Sequence, residues 1–312
     1  MKLRAAVVGV GYLGQFHAQK IKAHPLVELV GVCDFSFTQA QKVATELSTQ
    51  AYQRPEELFG KIDFVHIAAS TQSHYDLANL FLQQKIPVLV EKPIAASIEQ
   101  AEKLCELSDK NNTLLTVGHI ERFNPAFRFL KENSTDISYL EINRLAPFRT
   151  RGSDVSVLHD LTIHDIDLVS WIFKSPIEQF EATGSKLIKA TYDDVWIRLM
   201  LKNGTQITLN NSRVTPQIIR NYRAVSAKQS IYMNTATLEA EILTPQTAEP
   251  FCTVNKIQLG KVDALALEVD HFIQCILGKD SLAITAVEAT EALKNVEKFI
   301  LRLDGKIKGS VH

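Results

Sequence analysis

Asp160 and His164 stand four residues apart, and Asp167 follows one helical turn later. On an α-helix that spacing puts the three side chains on one face. A carboxylate beside an imidazole fixes the ring's tautomer and orientation, giving a general base that takes a hydroxyl proton near neutral pH. Both residue types also bind metals, but a third and fourth ligand at metal spacing are lacking, so no metal is expected. Acids at a helix N-terminus are favoured electrostatically in any case, which accounts for the aspartates but not for His164. A second candidate is Lys92 in Glu91-Lys92-Pro93, directly after the apolar run Val88–Val90. An ammonium there can stabilise negative charge developing on a substrate oxygen; the other reading is an exposed charged turn. Pro93 restricts the backbone of Lys92, and its peptide bond can be cis.

The element that would position a second reactant is the run Gly9-Val10-Gly11-Tyr12-Leu13-Gly14, between the apolar stretch Ala5–Val8 and a helix-like segment. It reads as a dinucleotide-binding turn. Gly9 permits the tight turn, Gly11 lets the backbone approach a pyrophosphate, and Gly14 lets helix and strand pack closely. The pyrophosphate would rest on unpaired N–H groups at a helix N-terminus. A second apolar stretch, Val27–Cys33, ends in Asp34, where a carboxylate can bond both ribose hydroxyls. The same charge would repel a 2′-phosphate, and Phe35, Ser36 and Phe37 provide no arginine to receive one. NAD is therefore expected over NADP.

Up to about Gly118 short apolar runs alternate with helical ones. Arg4–Val8, Glu28–Cys33, Phe64–Ala68, Val88–Val90 and Leu114–Val117 read as buried parallel strands. Gly14–Ala23, Thr38–Leu47, His74–Gln84 and Ser97–Asn111 read as crossover helices, the last with a Ser97/Gln100 capping box. This pattern predicts an α/β domain over 1–120, a doubly wound parallel sheet with its crevice at the strand C-termini. After Asn124 the segments Tyr139–Leu145, Gln179–Ile188, Val195–Leu201 and Gln206–Arg213 are β-rich. Lys202-Asn203-Gly204 makes a hairpin turn between two of them. With one helix over His159–Phe173, they predict an α+β domain over 121–312 with a large open, mainly antiparallel sheet. Helices over Val262–Leu277 and Ala286–Leu303 close the chain and could pack back on the first domain. The free sheet face needs a cover, and a second subunit is the simplest, so a homodimer or homotetramer is expected.

Composition narrows the function classes. Of the 312 residues 46% are apolar and 22% charged, the balance of a globular protein. A formal net charge of −1 gives no global field to recruit nucleic acid or an acidic membrane, so any anion site must be local. Cys33, Cys105, Cys252 and Cys275 form no CxxC pair and fit a reduced cytoplasmic chain. No stretch approaches the ~20 apolar residues of a membrane span, and the apolar run at Met1–Val8 is strand-length rather than a signal peptide.

The glycine turn, Ser70-Thr71…His74, Glu91-Lys92-Pro93, Val117-Gly118 leading to Arg122-Phe123-Asn124-Pro125, and Asp160…His164…Asp167 together resemble the Gfo/Idh/MocA family. The resemblance covers nearly the whole chain. It implies a Rossmann domain and an NAD(P)-dependent sugar or cyclitol dehydrogenase, with Lys92, Asp160 and His164 catalytic. It implies that Gly9, Gly11, Tyr12, Leu13, Gly14, Asp34, Ala69, Ser70, Thr71, His74, Glu91 and Lys92 border the cofactor. Ser156–His159 stand where two glycines often precede the aspartate, and Thr162 where glycine is frequent. A narrower likeness rests on Val117–Pro125, Asn143-Arg144-Leu145-Ala146-Pro147-Phe148 and Arg151–Val155. These are similar to the dehydrogenases that oxidise UDP-N-acetylglucosamine at C3 on the way to lipid A diamino sugars. Arg144, Arg149 and Arg151 concentrate three permanent charges whose forks suit a diphosphate. With Arg122, Asn124, Asp160 and His164 they form the expected substrate set. A solvated basic loop, or an Arg151–Asp154 pair, is the other reading. Another sugar or inositol dehydrogenase, or a non-catalytic NAD(P)-sensing protein, remains an alternative.

Overall fold

The computed structural model describes residues 2–149 and 155–307. Arg151 and Asp154 therefore lie outside the described residues. The chain divides into two compact units, Met1–Ile120 with Asp263–Leu293, and Glu121–Val262 with Lys294–His312.

The first unit alternates strand and helix: β1 (Leu3–Val8), α1 (Tyr12–Ala23), β2 (Val27–Cys33), α2 (Phe37–Leu47), β3 (Gln50–Tyr52), β4 (Phe64–Ile67), α3 (Thr71–Gln83), β5 (Val88–Val90), α4 (Ile98–Asn111) and β6 (Leu115–Val117). The six strands are parallel in the order β3-β2-β1-β4-β5-β6. Strand order reverses between β1 and β4, which opens a crevice beyond their C-terminal ends. The strands read as continuous apolar runs because helices cover both faces. Ser97 accepts the Gln100 N–H at 3.2 Å and caps α4, whereas the buried Gln100 Oε1 has no hydrogen-bond partner, so only half of the expected box forms.

The second unit begins with α5 (Pro125–Glu132), β7 (Ile137–Leu145) and α6 (Ile163–Phe173), continues with β8 (Ile177–Ser185), β9 (Asp194–Leu201) and β10 (Gln206–Ser212), and adds β11 (Ile219–Ser226), β12 (Ser230–Asn234), β13 (Glu239–Pro245) and β14 (Cys252–Gln258). Its eight strands follow the order β14-β13-β12-β11-β7-β10-β9-β8, antiparallel except where β7 pairs with β10. One face buries Leu140, Ile142, Ile197, Leu199, Ile207 and Leu209. The opposite face is a polar ladder, with Lys256 bridging Glu241 at 2.8 Å, Tyr139 bonding Thr208 at 2.9 Å, and Trp196 and Tyr232 partly exposed.

Two helices end the chain, α7 (Ala264–Ile276) and α8 (Ala286–Leu303). Phe272 and Ile273 of α7 are buried in the core of the first unit with Val7, Val32 and Phe64. Among the described residues no helix is long and apolar enough to cross a membrane.

Candidate active site

In the first unit Gly9 takes a φ of +82°, and a Cβ there would lie 2.5 Å from the Ala69 backbone nitrogen. A Cβ on Gly14 would meet the Gly9 carbonyl. Both positions therefore require glycine sterically. Gly11 differs: no atom lies within 4 Å of its would-be Cβ, so open space faces the start of α1. Gly11 caps that helix without a side-chain bond, leaving first-turn N–H groups for a ligand. Asp34 at the end of β2 accepts the Val10 and Ser36 N–H groups, each at 2.9 Å. These backbone bonds aim its carboxylate beside the glycine turn. Gly9, Gly11, Asp34, Phe35, Ala69 and Ser70 help line a cleft of about 500 Å³. These residues fit an adenosine diphosphate moiety: space for the phosphates, amides to bond them, and an acid for the ribose. Tyr12 is exposed and Leu13 half-buried at the helix start, while Thr71 opens α3. NAD should bind at least about tenfold more tightly than NADP, since a 2′-phosphate loses bonds to a charged acceptor. Calorimetric titration of both cofactors checks this, and equal affinity would point to a neutralising cation such as Arg54, whose neighbours Gln53 and Pro55 line the cleft.

Glu91 and Lys92 follow β5, and the Lys92–Pro93 peptide is cis. His74 is buried, with Nδ1 2.8 Å from the Pro93 carbonyl and Nε2 3.1 Å from that of Ala69. It thus ties the lysine turn to the loop before α3. Burial outweighs those two bonds and lowers its pKa. Behind the turn lies a cluster that sequence reading missed. Glu91 Oε1 is 2.9 Å from His17 Nε2, whose Nδ1 is 3.2 Å from His66, and Glu91 Oε2 accepts the Lys92 N–H at 3.2 Å. Burial alone would raise the Glu91 pKa, but His17 and then Lys92 hold it below the ordinary range. Glu268 on α7 joins them, only 2% exposed and with both carboxyl oxygens lacking a hydrogen-bond partner. Burial, then the charge of Glu91, push it well above the usual carboxylate range. The folded state therefore holds a proton that the unfolded chain releases. Stability from this group is complete below its unfolded pKa of ~4.3 and is lost as pH rises. Glu268→Gln should accordingly raise the Tm more at pH 8 than at pH 5, as thermal scans at the two pH values would show.

In the second unit the helical segment holding Asp160 and His164 is not uniformly α. Leu158–Thr162 is one π turn, in which the Ile163 N–H reaches back to the Leu158 carbonyl, and α6 follows. Such turns recur at functional sites. Asp160 and His164 flank the change of helix type, and both are half-buried. Asp165 and Asp167 instead point inward. Asp167 takes a two-pronged bond from Arg122 at 2.6 and 2.9 Å, and Arg122 is 2% exposed. Asp165 receives Arg144 at 2.7 and 2.9 Å, Asn211 at 2.7 Å and the Tyr222 hydroxyl at 3.1 Å. Arg144 also donates to Glu121 at 2.7 Å. Arg122 and Arg144 thus have their guanidinium groups engaged inside the unit, because helix α6 brings a carboxylate to each. Asn124 caps α5 through the Ala126 N–H and donates to Glu121.

A cleft of about 500 Å³ opens beside this network, lined by Glu121, Asn124, Arg149, Asp160, Arg213 and Arg220 among others. It contains Asp160 of the expected catalytic pair, Asn124 of the expected substrate set, and both Arg144 and Arg149 of the expected arginine set, Arg144 with its guanidinium already engaged by Asp165 and Glu121. Arg220 on β11 was not anticipated, because the strand carrying it was not recognised.

A parallel sheet with a glycine turn at the α1 N-terminus and an acid closing β2 defines a dinucleotide-binding domain. Residues 3–119 match the NAD-binding Rossmann fold of the GFO/IDH/MocA oxidoreductase family, and residues 128–231 match its C-terminal domain. The chain belongs to the Gfo/Idh/MocA family. It is 32% identical over 279 residues to UDP-N-acetylglucosamine 3-dehydrogenase of Acidithiobacillus ferrooxidans, covering 88% of each sequence. The solved structure of that protein, GnnA, superposes with a TM-score of 0.91 at 29% identity over 98% of this chain and 99% of the other. Similarity extends to scyllo-inositol 2-dehydrogenase (NAD(+)) of Bacillus subtilis, 26% identical over 93% of this chain and 90% of that protein. The chain is thus an NAD-dependent dehydrogenase of the sugar and inositol class.

Proposed function

We propose that the chain oxidises the C3 hydroxyl of UDP-N-acetylglucosamine. The carrying observation is the cationic cleft of the second unit, which places Arg149 and Arg220 with Asp160; the 32% identity to a UDP-N-acetylglucosamine 3-dehydrogenase supports it. An uncharged cyclitol has no group that needs two arginines.

In this reading His164, oriented by Asp160, takes the hydroxyl proton. The Lys92 ammonium stabilises the charge left on that oxygen. NAD, held by the glycine turn and Asp34, supplies the hydride acceptor. The reaction removes one proton and one hydride from the carbinol and leaves a ketone. Assembly of two or four copies through the polar face of the β7–β14 sheet is part of the same proposal, and light scattering of the purified protein measures it.

The test presents UDP-N-acetylglucosamine, free N-acetylglucosamine and scyllo-inositol with NAD and follows reduced nicotinamide. UDP-N-acetylglucosamine should be used with the highest kcat/KM. Inositol oxidised as well as the nucleotide sugar would overturn the substrate assignment and leave the dehydrogenase class standing.

A further inference from the structure

Arg220 stands in a position that is unfavourable without a ligand. Register pairs it directly with Arg144 across β11 and β7, so two guanidinium side chains leave the same face of the sheet opposite each other. Like charges directly opposite in a sheet are destabilising. Arg144 is compensated by Asp165 and Glu121. Arg220 makes no ion pair with either acid: its Nη1 is buried and has no hydrogen-bond partner. Burial, and next the charge of Arg144, work against its cationic form and outweigh the favourable charges of Asp165 and Glu121, yet a guanidinium stays charged in proteins. A buried donor left unmade is costly, so an anion is what this geometry lacks.

The cleft that Arg220 lines shows which anion it suits. Arg213 and Arg144 in its wall are engaged, by Asp193 at 2.8 Å and by Asp165 at 2.7 Å, and Glu121 is taken by Arg144 and Asn124. Arg149 is exposed on the same wall. Two arginine forks facing one cleft match the spread oxygens of a diphosphate better than a single carboxylate. Asp160 lines the same space, so a ligand anchored by its diphosphate extends its sugar toward the proposed proton-abstracting pair.

We propose that Arg220, with Arg149, forms the subsite for the substrate's diphosphate, and that Arg144 is its structural support rather than a ligand contact. This rests on the nucleotide-sugar reading above. It also assigns specificity: Arg220 is kept for binding at a cost to the empty protein, as functional residues often are.

UDP and inorganic pyrophosphate are the probes, titrated into the intact protein with NAD present and followed calorimetrically. Arg220→Met and Arg149→Ala should each weaken UDP by roughly 10- to 150-fold, the worth of a charge-assisted bond. They should raise KM for UDP-N-acetylglucosamine far more than they lower kcat, and NAD affinity should hold. Arg220→Lys keeps the charge without the fork and should recover part of the loss. The Tm of ligand-free Arg220→Met should equal or exceed that of the wild type, because a like-charge contact is removed. A purely structural arginine would lower it. UDP that binds the wild type and both variants alike would overturn the subsite and leave the substrate reading intact. A wild type that binds neither UDP nor pyrophosphate would overturn both. A lower Tm in Arg220→Met with unchanged UDP affinity in Arg149→Ala and Arg220→Lys would also overturn the subsite.

Discussion

Lys92→Met is expected to lower turnover by at least roughly 10³-fold while NAD affinity stays nearly unchanged. Methionine keeps most of the unbranched stem and removes the ammonium, so the half-buried turn after β5 loses charge without losing much volume. The cofactor's phosphates and ribose are assigned to the glycine turn and Asp34, whose Val10 and Ser36 bonds do not involve Lys92. One adjustment is expected nearby. Lys92 helps hold Glu91 below the usual carboxylate range, so the variant's Glu91 pKa should rise, although the His17 bond continues to favour the anion. His164→Asn is expected to cost roughly 10²- to 10⁴-fold and to remove the acidic limb of the pH–rate profile, since amide groups do not titrate there. Steady-state kinetics over pH, with NAD titration of each variant, separates chemistry from binding. Near wild-type rates in both variants would end the proton-transfer scheme and leave the dehydrogenase class standing with other residues carrying the chemistry.

What the sequence shows depends on how local the cause is. The glycine turn, the five buried strands and Asp34 are legible because their spacing within some 30 residues is the whole signal. The π turn at Leu158–Thr162 is not: the α spacing of Asp160 and His164 leads one to expect an uninterrupted helix, and the extra residue in the turn leaves no periodic trace. Strand β14 escapes because Cys252–Gln258 is exposed along almost its whole length and so lacks apolar alternation, whereas β11 and β12 bury alternate residues and escape all the same. Arg144 is the most instructive case. Sequence puts it in a run with Arg149 and Arg151, but its side chain is claimed by Asp165 and Glu121, 21 and 23 positions away, and by Tyr222, 78 away. Arg220 lies on the missed strand β11, so one of the cleft's cations stayed hidden while Arg144, already engaged by acids, stood out. Glu268 has the same origin: nothing in helix α7 announces that its carboxyl is buried beside Glu91.

Asp165→Ala is expected to lower the unfolding free energy of the second unit by ~3–5 kcal/mol, the cost of breaking a buried pair by removing one partner. Asp165 is fully buried and accepts from Arg144, Asn211 and Tyr222. Without it, Glu121 is the one charged partner left to Arg144 among the described residues, and Arg220 stands opposite a less compensated cation. Asp165→Asn retains an acceptor oxygen and should lose less. The double variant Arg144→Met with Asp165→Leu removes both charges together and should recover much of the loss, because a well-packed apolar pair can replace a buried ion pair at little cost. Acid should expose the same dependence. Burial alone would raise the Glu121 pKa, but Arg144 overcomes it and holds the carboxyl below the usual range. That contribution is present above the unfolded carboxylate pKa of ~4.3 and disappears as pH falls through the folded value. The network is therefore weakest in acid, where Asp165→Ala should fail first. Urea denaturation at pH 7 and pH 4 measures both effects, with NAD binding to the first unit as a control for local damage. A loss under ~1 kcal/mol, or a double variant as unstable as the sum of the singles, would show that the network does not hold β7, β10 and β11 to α6.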